Sequence, residues 1–153
     1  MNKSESVPKR MGAIWMPPIV FLLLSAVAWP TLSAEVKVTV EAVANDTGYV
    51  LVALCTPDTF LRTGCPYTGR ARASKGAAQI LVSNVKPGVY ALQAFHDSND
   101  NMDLDRNFFG LPKEGMGFGN DAQMHMGPPT FEDAAVEVPA DGASASLRLR
   151  YFD

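Results

Sequence analysis

From His96 to Asp105 the chain reads His-Asp-Ser-Asn-Asp-Asn-Met-Asp-Leu-Asp, with oxygen-bearing side chains at Asp97, Asn99 and Asn101 recurring every second residue ahead of Asp105. Such alternation lets several oxygens converge on one point, as in the first half of an EF-hand loop, and oxygen is what a hard cation binds. The expected ion is Ca²⁺, held by Asp97, Asn99, Asn101, Asp103 and Asp105 with Glu114 as a distant further ligand. It would neutralise the clustered carboxylates of Asp97, Asp100, Asp103 and Asp105. A complete EF-hand is excluded, because position six is Met102 where the turn prefers Gly and position twelve is Phe108 where a bidentate Glu is needed. The expected affinity is therefore weak, about 10⁻⁴ to 10⁻³ M. Asp and Asn are also good turn formers that bond to their own backbone, so a loop held only by such hydrogen bonds is the alternative.

A second constellation is Met124-His125-Met126, with Met102, Met116 and His96 elsewhere. Thioether and imidazole ligands select copper, Cu(I) above all, which makes a periplasmic copper-binding protein the alternative to a calcium module. Met is equally a flexible filler of cores, and no dense Met repeat is present. Catalysis is not expected. Neither His96 nor His125 lies near a Ser in a Gly-x-Ser-x-Gly context, and Asp105 with Glu114 is a carboxylate pair of unknown separation. An uncharacterised hydrolase is carried as a further alternative.

These residues need a scaffold, and the first 34 are not expected to belong to it. Lys3, Lys9 and Arg10 form a positive start, Ala13 to Trp29 is apolar apart from Pro17, Pro18 and Ser25, and Thr31-Leu32-Ser33-Ala34 supplies small residues for cleavage. That is the pattern of an export signal, with residues 35–153 as a single domain and no transmembrane segment after cleavage. Loss of residues 1–34 removes Lys3, Lys9, Arg10 and Glu5, leaving 10 basic and 15 acidic residues of the original 13 and 16, a net charge of −5. This sign argues against nucleic acid as a partner and suits a cation. Export to periplasm or beyond is oxidising, so the two cysteines, Cys55 and Cys65, are expected to form a disulfide.

Beyond residue 34 the apolar residues recur with period two. Val36, Val38 and Val40 alternate with Lys37, Thr39 and Glu41, and Tyr49 to Leu54 is apolar on both faces. With the turn at Asn45-Asp46-Thr47-Gly48 these predict a hairpin. Between Cys55 and Gly76 the pattern dissolves, with a weak helical-turn signal at Asp58 to Leu61 capped by Thr56 or Asp58. Ala77 to Val82 and Val89 to Phe95 are further strands around Lys86-Pro87-Gly88, whose Pro and Gly suit a type II turn. Tyr90, just after it, fits a tyrosine corner or a core-rim position. Phe131 to Val138 and Ser144 to Phe152 close the chain around Pro139-Ala140-Asp141-Gly142. About seven strands with turn signals at about 8 to 12-residue intervals predict an all-β, antiparallel Greek-key β-sandwich.

Several segments carry a family resemblance. Pro87-Gly88-Val89-Tyr90, Phe95-His96-Asp97 with Asn99 and Asn101, Asn107 to Gly115, Gly117-Phe118-Gly119-Asn120 and Gly127 to Ala135 resemble a bacterial exported family catalogued as domain of unknown function 2141. The resemblance implies an immunoglobulin-like or transthyretin-like sandwich in the cell envelope with no assigned activity. Met102 stands where the family usually has Gly, and the cysteine pair is not general in it. The resulting expectation is an envelope binding or structural module whose partner is a protein or a carbohydrate, met through Phe108, Phe109, Phe118 and Phe131 if these are exposed.

Overall fold

The computed structural model describes residues 33–152. The expected export signal lies outside the described residues except at its end, where Ala34 already opens the first strand. Strand β1 (Ala34–Val43) buries Val36, Val38 and Val40 and turns Lys37 and Thr39 outward, as its period requires. It is the centre of a three-stranded sheet, antiparallel to β4 (Gly76–Val85) and parallel to β8 (Ala143–Arg148).

The second sheet runs β3 (Tyr67–Arg72), β2 (Tyr49–Cys55), β5 (Gly88–Asp97), all antiparallel. Two short strands share the far edge of β5: β6 (Met116–Phe118) pairs with Gln93–Phe95, and β7 (Ala135–Val138) with Gly88–Ala91. The fold is thus all-β, two sheets enclosing a core of Val36, Val38, Val40, Ile80 and Val82 from one side and Val50, Val52, Leu54, Leu92 and Val138 from the other. Among the described residues eight strands are present where about seven were expected, and β1 with β8 is the one parallel pair among antiparallel ones.

The expected hairpin is corrected by this arrangement. β1 and β2 lie in different sheets, so Asn45–Gly48 carries the chain across the core, and the turn between β7 and β8 does the same. Period two reports which face is buried, and both faces of a sandwich core bury theirs, so alternation alone does not name the neighbouring strand. The type II turn is also absent. Asn84 takes the left-handed conformation (φ 59°) near the end of β4, while Gly88 joins β5 and lies against the Tyr90 ring. Tyr90 does form the tyrosine corner: its hydroxyl donates to the Lys86 carbonyl at 2.9 Å, and its ring meets Tyr67 edge-on at 5.4 Å.

β2 reads as apolar on both faces because its outer face is partly covered as well as its inner one. Outside the second sheet a smaller cluster of Cys55, Phe60, Ala91, Phe118 and Ala134 is closed by Cys65, Met124 and Phe131. The Cys55–Cys65 disulfide ties the excursion after β2 to this cluster. Within it, the Thr56 carbonyl accepts from the N–H groups of Thr59 and Phe60 at 3.0 and 2.9 Å, one turn that Leu61 ends at φ 61°. Among the described residues no helix is long and apolar enough to cross a membrane.

Candidate functional site

The acidic loop begins where β5 ends, and three other segments fix that end. Tyr49 of β2 pairs with Asp97, and Gly48, at φ 73°, packs so tightly on the Asp97 carbonyl that a Cβ there would overlap it. His96, facing inward, is held from both sides: Nε2 lies 2.8 Å from the Thr47 carbonyl and Nδ1 2.9 Å from the Tyr151 hydroxyl. Tyr151 in turn accepts the Ala44 N–H at 2.9 Å. All four groups are satisfied when Nε2–H donates to Thr47 and the Tyr151 hydroxyl donates to Nδ1. Burial pushes the Tyr151 hydroxyl pKa up, against a smaller lowering by the Ala44 N–H.

Asp97 is 0% exposed. Its Oδ1 accepts the Asn101 N–H at 3.1 Å and its Oδ2 the Met102 N–H at 2.9 Å, so the loop wraps round its carboxylate. Asp100 and Met102 both turn left-handed, at φ 57° and 62°. Met102 therefore makes the sharp turn that an EF-hand assigns to Gly at this position, at a steric cost of about 1–2 kcal/mol for a residue with a Cβ. Asn99 Oδ1 accepts from Asn101 N–H at 3.2 Å, and Asn101 Oδ1 from Asp103 N–H at 2.9 Å. Their amide Nδ2 groups donate to the two oxygens of Asp105, at 2.7 and 3.3 Å.

Glu114 closes the loop from the other side. It is 5% exposed, and its Oε1 accepts from the N–H and hydroxyl of Ser98 at 2.9 and 3.1 Å while Oε2 accepts from the Asp105 N–H at 3.3 Å. Among the sequence candidates, Asn99, Asn101 and Asp105 are thus joined side chain to side chain, with Asp97 and Glu114 bonded to the same short backbone. Asp103 is engaged otherwise, accepting from the Leu104 N–H at 2.9 Å. Among the described residues no three of His, Cys, Asp and Glu converge closely enough to hold an ion by themselves, so carboxamide oxygens would have to share the ligation. No described Lys or Arg pairs with Asp97 or Glu114; the nearest loop ion pair is Arg70 with exposed Asp100, at 3.5 Å.

Directly after the loop, Asn107 builds a tight turn. Its Oδ1 accepts from the N–H groups of Phe109 and Leu111, both at 3.0 Å, and its backbone N–H donates to the Leu111 carbonyl at 2.8 Å. Arg106 Nη1 reaches the Gly110 carbonyl at 3.1 Å, and Arg106 pairs with Pro112 across the turn base. The four aromatics grouped by sequence separate here. Phe118 is buried and Phe131 packs edge-on with Phe60 in the outer cluster, whereas Phe108 and Phe109 are 97% and 83% exposed and meet each other edge-on at 5.6 Å.

The copper candidates are divided by their surroundings: Met124 packs into the outer cluster, while His125 and Met126 face solvent. The Ser98, Tyr151 and Asn107 contacts were not legible in the sequence. Asn107 alone carried a local signal, an Asn ahead of a Phe-Phe-Gly turn.

A family model described as an uncharacterized protein conserved in bacteria (DUF2141) matches residues 38–146, a span containing the loop, the Asn107 turn and Glu114. No curated protein and no solved structure matches the chain.

Proposed function

The chain belongs to this uncharacterized bacterial family, and we propose that it is an exported envelope binding module whose Asp97–Asp105 loop is ordered by Ca²⁺. One observation carries the reading: Asp97 and Glu114 are buried carboxylates facing one loop, and neither pairs with a described cation. Buried charges are ordinarily neutralised by a partner or a metal. Their hydrogen bonds to backbone N–H groups offset part of that cost, and a dication would offset more. The nearby donors are carboxylate and carboxamide oxygens, which suit a hard ion and not a soft one. When bound, the ion supplies charge neutralisation and rigidity; Asn107 and Arg106 then hold the Phe108–Phe109 turn as a fixed surface beside it. Export is supported by the disulfide and by the charged-then-apolar start of the chain.

The copper reading has no comparable observation behind it, and His96 has both ring nitrogens engaged. Thermal unfolding with and without added Ca²⁺ tests the proposal. At the expected affinity, millimolar Ca²⁺ reaches up to about ten times the dissociation constant and stabilises by up to about 1.4 kcal/mol. A Tm insensitive to millimolar Ca²⁺ removes the calcium part of the reading.

A further inference from the structure

We propose that the Phe108–Phe109 turn docks the protein on an anionic lipid bilayer, a step that deepens the binding-module reading by naming the partner. Four features of the turn point there. First, its apolar content is almost wholly outside: Phe108 and Phe109 are nearly fully exposed, and Leu111 is half exposed. Exposed clusters of large apolar side chains mark contact sites. Second, the turn is rigid before any partner arrives, because Asn107 and Arg106 satisfy its backbone groups. Little ordering is then required on binding.

The third feature is the order of residues. Arg106 and Lys113, both exposed, stand one on each side of the apolar tip, with Arg106 and Lys113's neighbour Pro112 paired at its base. Apolar groups in front and cations behind match a bilayer, whose hydrocarbon lies beneath a phosphate layer, and basic residues at that depth reach the phosphates. The fourth is that the nearest carboxylates are withdrawn. Asp105 is half-buried and bonded to Asn99 and Asn101, and Glu114 is buried against Ser98. Asp100 and Asp103 stay exposed further back along the loop. A Ca²⁺ ion in that loop would lower the remaining repulsion, so docking should strengthen with the ion. A projecting tip with most of each Phe ring uncovered fits insertion into lipid better than a flat protein interface.

The test is co-sedimentation of the protein purified from the cell envelope with vesicles of phosphatidylethanolamine and phosphatidylglycerol. The double variant Phe108→Ala, Phe109→Ala is compared with wild type, since the contrast between them isolates the tip from any other lipid-binding segment. Wild type should sediment with the vesicles, the double variant should lose at least tenfold in binding, and Lys113→Gln, whose side chain takes no part in holding the turn, should lose a few-fold, more at low salt. Both variants should keep the wild-type Tm, because the altered side chains are exposed. Equal binding by wild type and the Phe variant overturns the proposal. So does a wild type that ignores vesicles but cross-links to an envelope protein through the turn; that result leaves a binding module and removes the bilayer. Vesicle binding that depends on both Phe residues alongside a Tm indifferent to Ca²⁺ supports the docking and removes only the calcium.

Discussion

The Tyr151 hydroxyl lies 2.9 Å from Nδ1 of His96, joining residues 55 apart in sequence at the point where β5 gives way to the acidic loop. The same hydroxyl receives the Ala44 N–H, so one oxygen ties three segments together. Tyr151→Phe keeps the ring over Gly115 but leaves the Nδ1 acceptor and the Ala44 donor without a protein partner. A loss of about 1–3 kcal/mol in chemical denaturation is expected. An unchanged stability would mean that the hydroxyl only borders the network.

Burial raises the pKa of the Tyr151 hydroxyl, and burial followed by the hydrogen bond and charge of Tyr67 raises that of Tyr90. Groups whose folded pKa exceeds the unfolded value stabilise fully below the unfolded value and lose that contribution as pH rises through the folded one. Stability should therefore decline above about pH 10. In a spectrophotometric titration of the folded protein these two hydroxyls should ionise late, and Tyr151→Phe should make the alkaline decline shallower. A decline identical in the variant would assign the effect to other groups.

The disulfide closes a sequence separation of 10 residues against Phe60 and Phe131. Paired Cys55→Ser and Cys65→Ser substitutions should cost about 2–3 kcal/mol in the chain-entropy account. Urea unfolding of the double variant measures this. A loss well below that would show that the outer cluster holds the excursion without its crosslink.

Much of this was legible in the residues, and for stated reasons. Alternation in β1 exposed its inward face, the cysteine pair found its partner within a short span, and Tyr90 after Pro87-Gly88 offered the corner as one of two readings. Strand neighbours were not legible, because β1 and β2 bury their valines into the same core from opposite sheets. In the loop, the spacing of Asp97, Asn99 and Asn101 marked the wrapped turn, but not that Asn99 and Asn101 would both reach Asp105 or that Glu114 would close it. The Glu114 contact follows from β6 pairing on the far edge of β5, which carries no local pattern. The division of four Phe residues into two buried or packed and two exposed also followed tertiary placement.

Gly48→Ala should be more damaging than its turn position suggests. The residue sits at φ 73° and its missing Cβ makes room for the Asp97 carbonyl. Left-handed strain alone is worth about 1–2 kcal/mol, and displacement of the β5 end adds to it. Thermal unfolding should show a lower Tm, and Ca²⁺ should restore less of it than in wild type. A Gly48→Ala protein with wild-type Tm would show that the turn yields freely.

The central claim concerns Asp97, and differential scanning calorimetry of wild type and Asp97→Asn, each with chelator and with millimolar Ca²⁺, tests it most directly. Asn keeps the shape and one of the two acceptors for the Asn101 and Met102 N–H groups, so the variant should fold with a lower Tm in chelator while lacking the charge. The account predicts a wild-type Tm that rises several degrees with Ca²⁺ and not with Mg²⁺, and a variant Tm that ignores both. A wild type whose Tm is the same in chelator and in Ca²⁺, or a variant that responds as wild type does, would contradict it.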